Sequence, residues 1–195
     1  MTTVVIIYHS GYGHTQVQAE SVHRGVEKIS GVKCQSVSIS VEGEVSEKVW
    51  NSLTSADAII FGSPTYMGSV SWQFKKFADA SSKQWATQDW KNKIAAGFTN
   101  SASMNGDKLT TLQHMVTLAM QHGMIWASTG LMPSNTMNAH RNDINYLGSY
   151  LGLMAQSPSD SDIEQGPLSG DLDTAVVFGE RVAEIAKRWR LSLDE

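Results

Sequence analysis

Residues 10–15 read Ser-Gly-Tyr-Gly-His-Thr and follow directly on an apolar, β-branched run at residues 4–8. A segment with helical periodicity comes next, so the pattern predicts a strand, a tight turn and the start of a helix. In such an arrangement, free backbone N–H groups and the positive end of the helix dipole point at one place. The chemistry that this turn suits is the binding of an anion, most often a phosphate group.

Two common phosphate-binding patterns do not fit this turn. A P-loop would end in Gly-Lys followed by Ser or Thr, and the turn has no such ending. The dinucleotide fingerprint needs a third glycine after Gly11 and Gly13, so that the helix packs closely on the strand. The hydroxyls of Ser10 and Thr15 instead suit a phosphate monoester, which takes many short donors and no fixed cation. An ordinary glycine-containing turn without a ligand is the alternative.

Composition argues against several classes of protein. The 195 residues carry 15 Lys and Arg against 19 Asp and Glu, a net charge of −4. A nucleic-acid-binding protein would present a basic face, and the acidic excess is too small for a strongly acidic electron-carrier surface. No apolar run approaches the length of a membrane span, and no basic leader precedes the first one, so we predict a cytoplasmic protein.

The cysteine and histidine contents predict neither a disulfide nor a metal site. Cys34 is the single cysteine, so no internal disulfide can form, and we expect it to be a small core residue in or beside a strand. The histidines at positions 9, 23, 114 and 140 have no ligand spacing, so no metal site is predicted.

Apolar runs with β propensity alternate with helical stretches along the chain. The predicted strands are residues 4–8, 32–39, 57–62, 94–98 and 124–127; the predicted helices are residues 14–29, a helix capped by Ser46, and residues 69–80, 107–122 and 172–190. This alternation predicts a single α/β domain over residues 1–195. We expect a flavodoxin-like, doubly wound, five-stranded parallel sheet in the order 2-1-3-4-5, with helices on both faces.

Residues 128–170 interrupt this alternation. They hold Pro133, Pro158 and Pro167, three of the four prolines, together with several glycines. So long an irregular stretch inside a compact domain is unusual and often functional. We expect it either to wall a site or to pack against a second subunit.

Three loops should meet at the carboxyl edge of this sheet, where ligands of such folds bind. They are residues 10–15, residues 63–68 after the third strand and residues 99–106 after the fourth. Tyr66 offers an aromatic face, and the third loop is rich in hydroxyls and amides that would stabilise negative charge on a heterocycle. Each loop alone could be a plain turn. Their occurrence at one edge predicts a single planar, phosphorylated ligand.

Four stretches of the chain carry a resemblance to a known family. They are Tyr-His-Ser-Gly-Tyr-Gly-His-Thr at 8–15, Ile-Phe-Gly-Ser-Pro-Thr at 60–65, Phe-Ala-Asp at 77–79 and His-Gly-Met at 122–124. Together they resemble the WrbA-type NAD(P)H:quinone oxidoreductases, which belong to the flavodoxin superfamily and bind FMN. The resemblance runs from residue 4 to about residue 127 and continues weakly to the end.

The resemblance implies three groups of FMN-binding residues. They are Ser10, Gly11, Tyr12, Gly13, His14 and Thr15 at the phosphate; Pro64, Thr65, Tyr66, Met67 and Gly68 along the isoalloxazine and ribityl chain; and Asn100, Ser101, Ala102, Ser103, Met104 and Asn105 at the pyrimidine edge. Tyr12 also matches a position near the nicotinamide nucleotide, and Trp85 one beside the substrate. His122 matches a flavin-site histidine. Tyr66-Met67 stands where the family usually has Arg-Phe.

The resemblance further implies an FMN-dependent enzyme that takes a hydride from NADH or NADPH and reduces quinones by two electrons, with the flavin carrying the chemistry. A flavodoxin-type carrier of single electrons is one alternative. An FMN, azo- or nitro-reductase of the same fold is another, and a flavin-free scaffold domain is a third.

The position of His122 bears on the number of subunits. If residues 107–122 form a helix, His122 lies about 24 Å from its start, at the opposite edge of the sheet from the three loops. If His122 serves a flavin, that flavin belongs to a neighbouring subunit, so a complete site needs at least a dimer; with the resemblance, this implies a homodimer or homotetramer with shared sites. The alternative is a histidine that only stabilises the end of its own helix.

Overall fold

The structure, a computed structural model, describes residues 1–192. In chain order it contains β1 (Thr2–Tyr8), α1 (His14–Glu27), β2 (Val32–Ser38), α2 (Glu47–Ser55), β3 (Ala58–Tyr66), β4 (Ser69–Val70) and α3 (Trp72–Ala80). It continues with α4 (Ser82–Thr87), β5 (Ile94–Ser101), α5 (Lys108–Gln121), β6 (Ile125–Trp126), β7 (Leu153–Gln156) and α6 (Ser169–Leu191).

The sheet has the order β2-β1-β3-β5-β6, and all pairs along this path are parallel. Since β5 and β6 are the predicted fourth and fifth strands, the flavodoxin-like order is confirmed along this path. The count of five strands is wrong, because the sheet has seven. β6 pairs only with the first two residues of β5, and β7 pairs in parallel with the last four, so two short strands share the fifth position.

Helices cover both faces of the sheet, as predicted. In β1, Val4 and Ile6 pack with α1 and α6 in one core cluster, while Val5 and Ile7 pack with α2, α3 and α5 in another. Both sets of side chains are fully buried. A central parallel strand that is covered on both faces reads as a continuous apolar run, which is why the strand was evident in the sequence.

The predicted helix at residues 69–80 begins later than expected. Met67 and Gly68 have positive φ angles of 47° and 79°, and the tight turn they form folds Ser69–Val70 back on the end of β3 as β4. α3 then starts at Trp72, where Ser71 caps it by accepting a hydrogen bond from the backbone N–H of Phe74 at 3.3 Å. α4 was not predicted.

The irregular segment 128–170, which contains β7, is anchored to α6. The guanidinium of Arg141 donates two hydrogen bonds to the carboxylate of Asp171, at 2.8 and 2.6 Å. The backbone N–H of Gln156 donates to the same carboxylate at 2.8 Å. These contacts bring the chain after β7 to the carboxyl edge of the sheet, where the site lies.

Candidate functional site

A cavity of about 540 Å³ lies at the carboxyl edge of β1, β3 and β5. Its lining residues are Tyr12, His14, Thr15, Pro64, Thr65, Tyr66, Asn100, Ser101, Ala102, Ser157, Pro158, Ser159 and Ser161. Nine of these belong to the three loops singled out in the sequence, so the structure brings the three loops together. The volume is within the range of about 300–1,000 Å³ that small-molecule sites occupy.

One end of the cavity is a cradle of free backbone donors. Within residues 1–192, the N–H groups of residues 10–15 donate to no protein acceptor; the next one, of Gln16, donates to Ser10 Oγ at 3.1 Å. α1 begins at His14 with Gly13 in the N-cap position and no side-chain cap. Unpaired N–H groups at a helix start favour a bound anion, so this end fits a phosphate group.

The two glycines of this turn are closely approached by neighbouring side chains. A Cβ atom on Gly11 would collide with the hydroxyl of Tyr66, and one on Gly13 would collide with the side chain of Ile163. Gly13 also has a φ of 92°, a conformation that other residues rarely adopt. The turn is therefore packed between the end of β3 and the chain that follows β7.

Aromatic side chains stand at the mouth of the cavity. The rings of Tyr12 and Tyr66 meet edge to face with their centroids 6.2 Å apart, and Tyr12 is 80% exposed. Burial, and secondarily the neighbouring Tyr12, raises the pKa of the Tyr66 phenol, which therefore stays protonated at neutral pH. Tyr66 can both donate and accept a hydrogen bond there.

Hydroxyl groups connect the elements beneath the cavity. Thr65 Oγ1 lies 2.8 Å from Thr99 Oγ1 and 2.8 Å from Thr111 Oγ1, and all three residues are buried. These contacts join the ends of β3 and β5 to α5. Ser157 Oγ donates to Asn100 Oδ1 at 3.0 Å and ties the chain after β7 to the same edge. The cavity wall is thus held in one arrangement by buried hydrogen bonds.

Four lining residues, at positions 157, 158, 159 and 161, were not predicted from the sequence. They follow β7 within the irregular segment, so this segment walls the cavity; its role toward a ligand stays a prediction. The carbonyl oxygen of Asp162 also lies 3.2 Å from His14 Nε2. The available signal was the run Ser-Pro-Ser-Asp-Ser, whose residue types are common in ordered turns.

Lys108 was missed as well. It is the first residue of α5 and is fully buried, with its ammonium donating to Ser101 Oγ at 2.8 Å and to the Ser103 carbonyl oxygen at 2.6 Å. Burial lowers the pKa of this lysine to about 8. Its spacing of three and four residues from Thr111 and Leu112, on the buried face of α5, was the available signal.

Several predicted residues share these loops without lining the cavity. They are Ser10, Gly11, Gly13, Met67, Gly68, Ser103, Met104 and Asn105. Ser10, Gly11 and Gly13 shape the cradle, and Met67 and Gly68 form the turn between β3 and β4. The roles of all of them toward a cofactor stay predictions.

The structure does not bring Trp85 and His122 to this cavity. α5 runs 14 residues from Lys108 at the carboxyl edge, about 21 Å. His122 follows its last turn, and the next residue, Gly123, accepts a hydrogen bond from Asn92 just before β5 begins. His122 is buried against Trp90, and Trp85 on α4 is half exposed. A role for either at the flavin of another subunit stays a prediction.

Two further classes of feature are missing from residues 1–192. No three His, Cys, Asp or Glu side chains there are grouped so that they could hold a metal ion. None of the helices in the same range is long and apolar enough to cross a membrane.

Known proteins resemble this chain over nearly its whole length. Residues 24–137 match the family model described as NADPH-dependent FMN reductase. Flavodoxin FldP of Pseudomonas aeruginosa (strain UCBPP-PA14) is 49% identical over 188 residues, which are 96% of this chain and 98% of that protein. The NAD(P)H dehydrogenase (quinone) of Paracoccus denitrificans (strain Pd 1222) is 30% identical over 199 residues, covering 95% of this chain and 94% of that protein.

A solved structure agrees with these matches. The flavodoxin, WrbA-like protein from Agrobacterium tumefaciens has a TM-score of 0.78 and 47% sequence identity, covering 96% of this chain and 99% of that one. The fold, the cradle at the start of α1 and the sequence matches all indicate the same family. The chain belongs to the NADPH-dependent FMN reductase family, as a WrbA-type member of the FMN-binding flavodoxin superfamily.

Proposed function

We propose that this protein binds FMN in the cavity and transfers electrons from NADH or NADPH to a quinone, reducing it by two electrons. The observation that carries the proposal is the row of unpaired N–H groups at residues 10–15, at one end of a cavity of about 540 Å³. When bound, FMN would supply the chemistry, accepting a hydride from the nicotinamide and passing two electrons to the quinone.

The phosphate of FMN would lie in the cradle. Ser10 Oγ already accepts a hydrogen bond from the N–H of Gln16, so its own proton is free to be donated to the phosphate. The N–H groups of residues 10–15 and the hydroxyl of Thr15 would complete the donor set. No fixed cation is needed, because the helix start itself favours negative charge.

The ring system would lie across the ends of β3 and β5. Pro64, Thr65 and Tyr66 line the cavity on one side and Asn100, Ser101 and Ala102 on another. We propose that Met67 and Gly68 flank the ring and that Ser103, Met104 and Asn105 border its pyrimidine edge. Hydrogen-bond donors at that edge would stabilise the negative charge that develops on reduction.

The substrate face would be completed by a second copy of the chain. Tyr12 is 80% exposed at the cavity mouth, in a position to contact the nicotinamide or the quinone. Trp85 and His122 lie at the opposite edge of the sheet, so any flavin that they serve would belong to another subunit. We therefore propose a homodimer or homotetramer in the cytoplasm, and sedimentation of the active species tests the subunit count.

A second candidate function is an electron carrier that passes single electrons to protein partners. The 49% identity to a protein named flavodoxin supports it. The Paracoccus relative and the family model are both named for reactions with a nicotinamide nucleotide, which supports an enzyme that uses a nicotinamide donor. The net charge of −4 supports the enzyme too, since carriers that dock on protein partners typically present a strongly acidic face.

The visible spectrum of the purified protein under argon is the primary test. We expect a flavin band that bleaches on addition of NADH or NADPH and returns when benzoquinone is added. A protein that stays colourless after incubation with FMN would overturn the proposal. A flavin that neither nucleotide bleaches, together with no steady-state NAD(P)H oxidation in the presence of benzoquinone, would favour the carrier instead.

A further inference from the structure

A buried ammonium group lies directly behind the loop that follows β5. Lys108 is fully buried, and its Nζ donates only to neutral oxygens, Ser101 Oγ at 2.8 Å and the Ser103 carbonyl at 2.6 Å. Among residues 1–192, no carboxylate lies within 4.0 Å of this nitrogen. The carboxylate of Asp171 influences it from farther away and is already paired with Arg141.

Such a charge is costly to bury. An ammonium group transferred from water into a protein interior needs a counter-charge or good hydrogen bonds to remain protonated. Burial lowers the pKa of Lys108 to about 8, so the group is still mostly charged at neutral pH. A positive charge is therefore held next to the cavity without a direct negative partner in this part of the chain.

The loop above this charge lines part of the cavity. The cradle follows β1, and Ser101 and Ala102 line the cavity at the end of β5, two strands along the sheet from it. Within the described chain, the backbone N–H groups of residues 102–107 donate to no acceptor. A ligand whose phosphate occupies the cradle would bring the edge of its ring toward Ala102, whose free N–H belongs to the lining, with the ammonium behind the loop.

We propose that Lys108 is a positioning residue that acts through residues 101–103 to stabilise the negative charge that a bound flavin ring gains on two-electron reduction. The inference rests on the proposed function. A hydride from NAD(P)H delivers two electrons and one proton and leaves NAD(P)⁺. The ring then carries one negative charge unless a second proton arrives from water. The positive charge of Lys108 would favour the reduced ring over the oxidised one.

Gln156 provides a control for the charge of Lys108. Gln156 Nε2 donates to the carbonyl oxygen of Ala102 at 2.7 Å, so it holds the same loop without carrying a charge. Gln156→Met removes a neutral tether, whereas Lys108→Gln removes the charge and keeps hydrogen-bond donors. Lys108→Arg keeps the charge. If Lys108→Gln does not fold, Lys108→Met takes its place.

The test measures the affinity of each holoprotein for oxidised and reduced FMN, together with the midpoint potential under argon. For Lys108→Gln we expect the ratio of reduced to oxidised dissociation constants to rise about tenfold, a potential more negative by about 30 mV for a two-electron couple. Gln156→Met should weaken both redox states alike, and Lys108→Arg should restore the ratio. The pKa of the reduced ring should also rise in Lys108→Gln.

Two results would overturn the inference, and they differ from failure of the proposed function. An unchanged ratio in Lys108→Gln would exclude a role for the charge. Equal ratio shifts in Lys108→Gln and Gln156→Met would assign the effect to loop geometry alone. A wild-type protein that binds no FMN would overturn the proposed function itself, and with it the role of Lys108 toward the flavin.

Discussion

His122 Nε2 lies 2.9 Å from Ser81 Oγ, and this contact decides which ring nitrogen carries the proton. Ser81 Oγ donates its single proton to the carbonyl oxygen of Ala78 at 2.6 Å, so it can only accept from His122. Nε2 is therefore the protonated nitrogen, and Nδ1 is buried without a partner in residues 1–192. A second proton on Nδ1 would have no acceptor, and burial lowers the pKa of His122 to about 4.

We predict that this histidine makes the fold sensitive to mild acid. The pKa of His122 falls from 6.5 in the unfolded chain to about 4 in the folded one, so the unfolded chain binds the extra proton first. The contribution of neutral His122 to the free energy of unfolding is present above pH 6.5 and is lost as the pH falls toward 4. The full loss would be about 3 kcal/mol, at 1.36 kcal/mol per pKa unit.

Urea unfolding at about pH 7 and about pH 4.5 measures this contribution. His122→Gln should lower stability at the higher pH and lose less of the remainder on acidification than the wild type does. His140→Gln is the matched control, because His140 is exposed. Carboxylate protonation is common to all three proteins. Parallel losses in the wild type and His122→Gln would refute the prediction.

The sequence predicted the strands that are recognisable from their own apolar runs. β1, β3 and β5 are covered on both faces, so their apolar runs stand out without knowledge of their neighbours. β7 could not be predicted, because its four residues form a strand only by pairing with the distal half of β5. The same long-range pairing places Ser157 and Ser161 at the cavity, so the wall they form was missed along with the strand.

The site was predicted where it depends on short patterns within the sequence. The cradle at residues 10–15 follows from a strand, two glycines and a helix start in direct succession. Lys108 was not predicted, because a lysine on an amphipathic helix ordinarily faces water, even though its spacing places it on the buried face of α5. Its burial follows from the turn at Gly106 and Asp107, whose positive φ angles direct the start of α5 under the loop.

We predict that the ion pair between Arg141 and Asp171 stabilises the fold more than any exposed pair does. Asp171 has a side chain only 4% exposed, and it accepts from both Arg141 and the N–H of Gln156. Asp171→Ala would leave a partly buried guanidinium without a partner and a backbone N–H without an acceptor. We expect a loss of about 3–5 kcal/mol in the free energy of unfolding.

Urea unfolding followed by circular dichroism measures this loss. Asp79→Ala is the control, because Asp79 pairs with Lys75 on the surface, where its side chain is 68% exposed. Exposed pairs contribute little, so this variant should unfold close to the wild type. Similar stabilities for Asp171→Ala and Asp79→Ala would contradict the prediction.

We predict that Cys34 is chemically inert in the folded protein. It lies in β2 beside the core cluster of α1 and α6, and burial, followed by the charge of Glu27, raises the pKa of its thiol from 9.0 to about 12. The thiolate is the reactive form. At about pH 8 its population should therefore be about a thousandfold lower in the folded chain than in the unfolded one.

Mass spectrometry of iodoacetamide-treated protein measures the rate of Cys34 modification, and the same protein in urea serves as the reference. Folding should slow the reaction by two to three orders of magnitude, on the order of the difference in thiolate population. A rate within about tenfold of the unfolded rate would show that the thiol is accessible as thiolate and would contradict the prediction.

We predict that the cradle at residues 10–15 depends on its two glycines. Gly11→Val and Gly13→Val should each abolish FMN binding, because the first side chain would collide with the Tyr66 hydroxyl and the second with Ile163. Gly31→Val is the matched control for Gly13. Gly31 has a similar φ of 80°, but its Cβ would meet nothing closer than 3.8 Å, at the turn between α1 and β2. It therefore carries the same backbone strain away from the cavity.

Absorbance of the flavin band in purified protein, together with FMN titration of the apoprotein, measures binding in the three variants. We expect Gly31→Val to lose stability by about 1–2 kcal/mol and to keep its FMN affinity. Gly13→Val should share that loss and also lose the cofactor. Both Gly13→Val and Gly31→Val carry the backbone strain, so a difference in FMN affinity between them reports on the cradle. Equal affinities in the two variants would mean that the phosphate binds elsewhere.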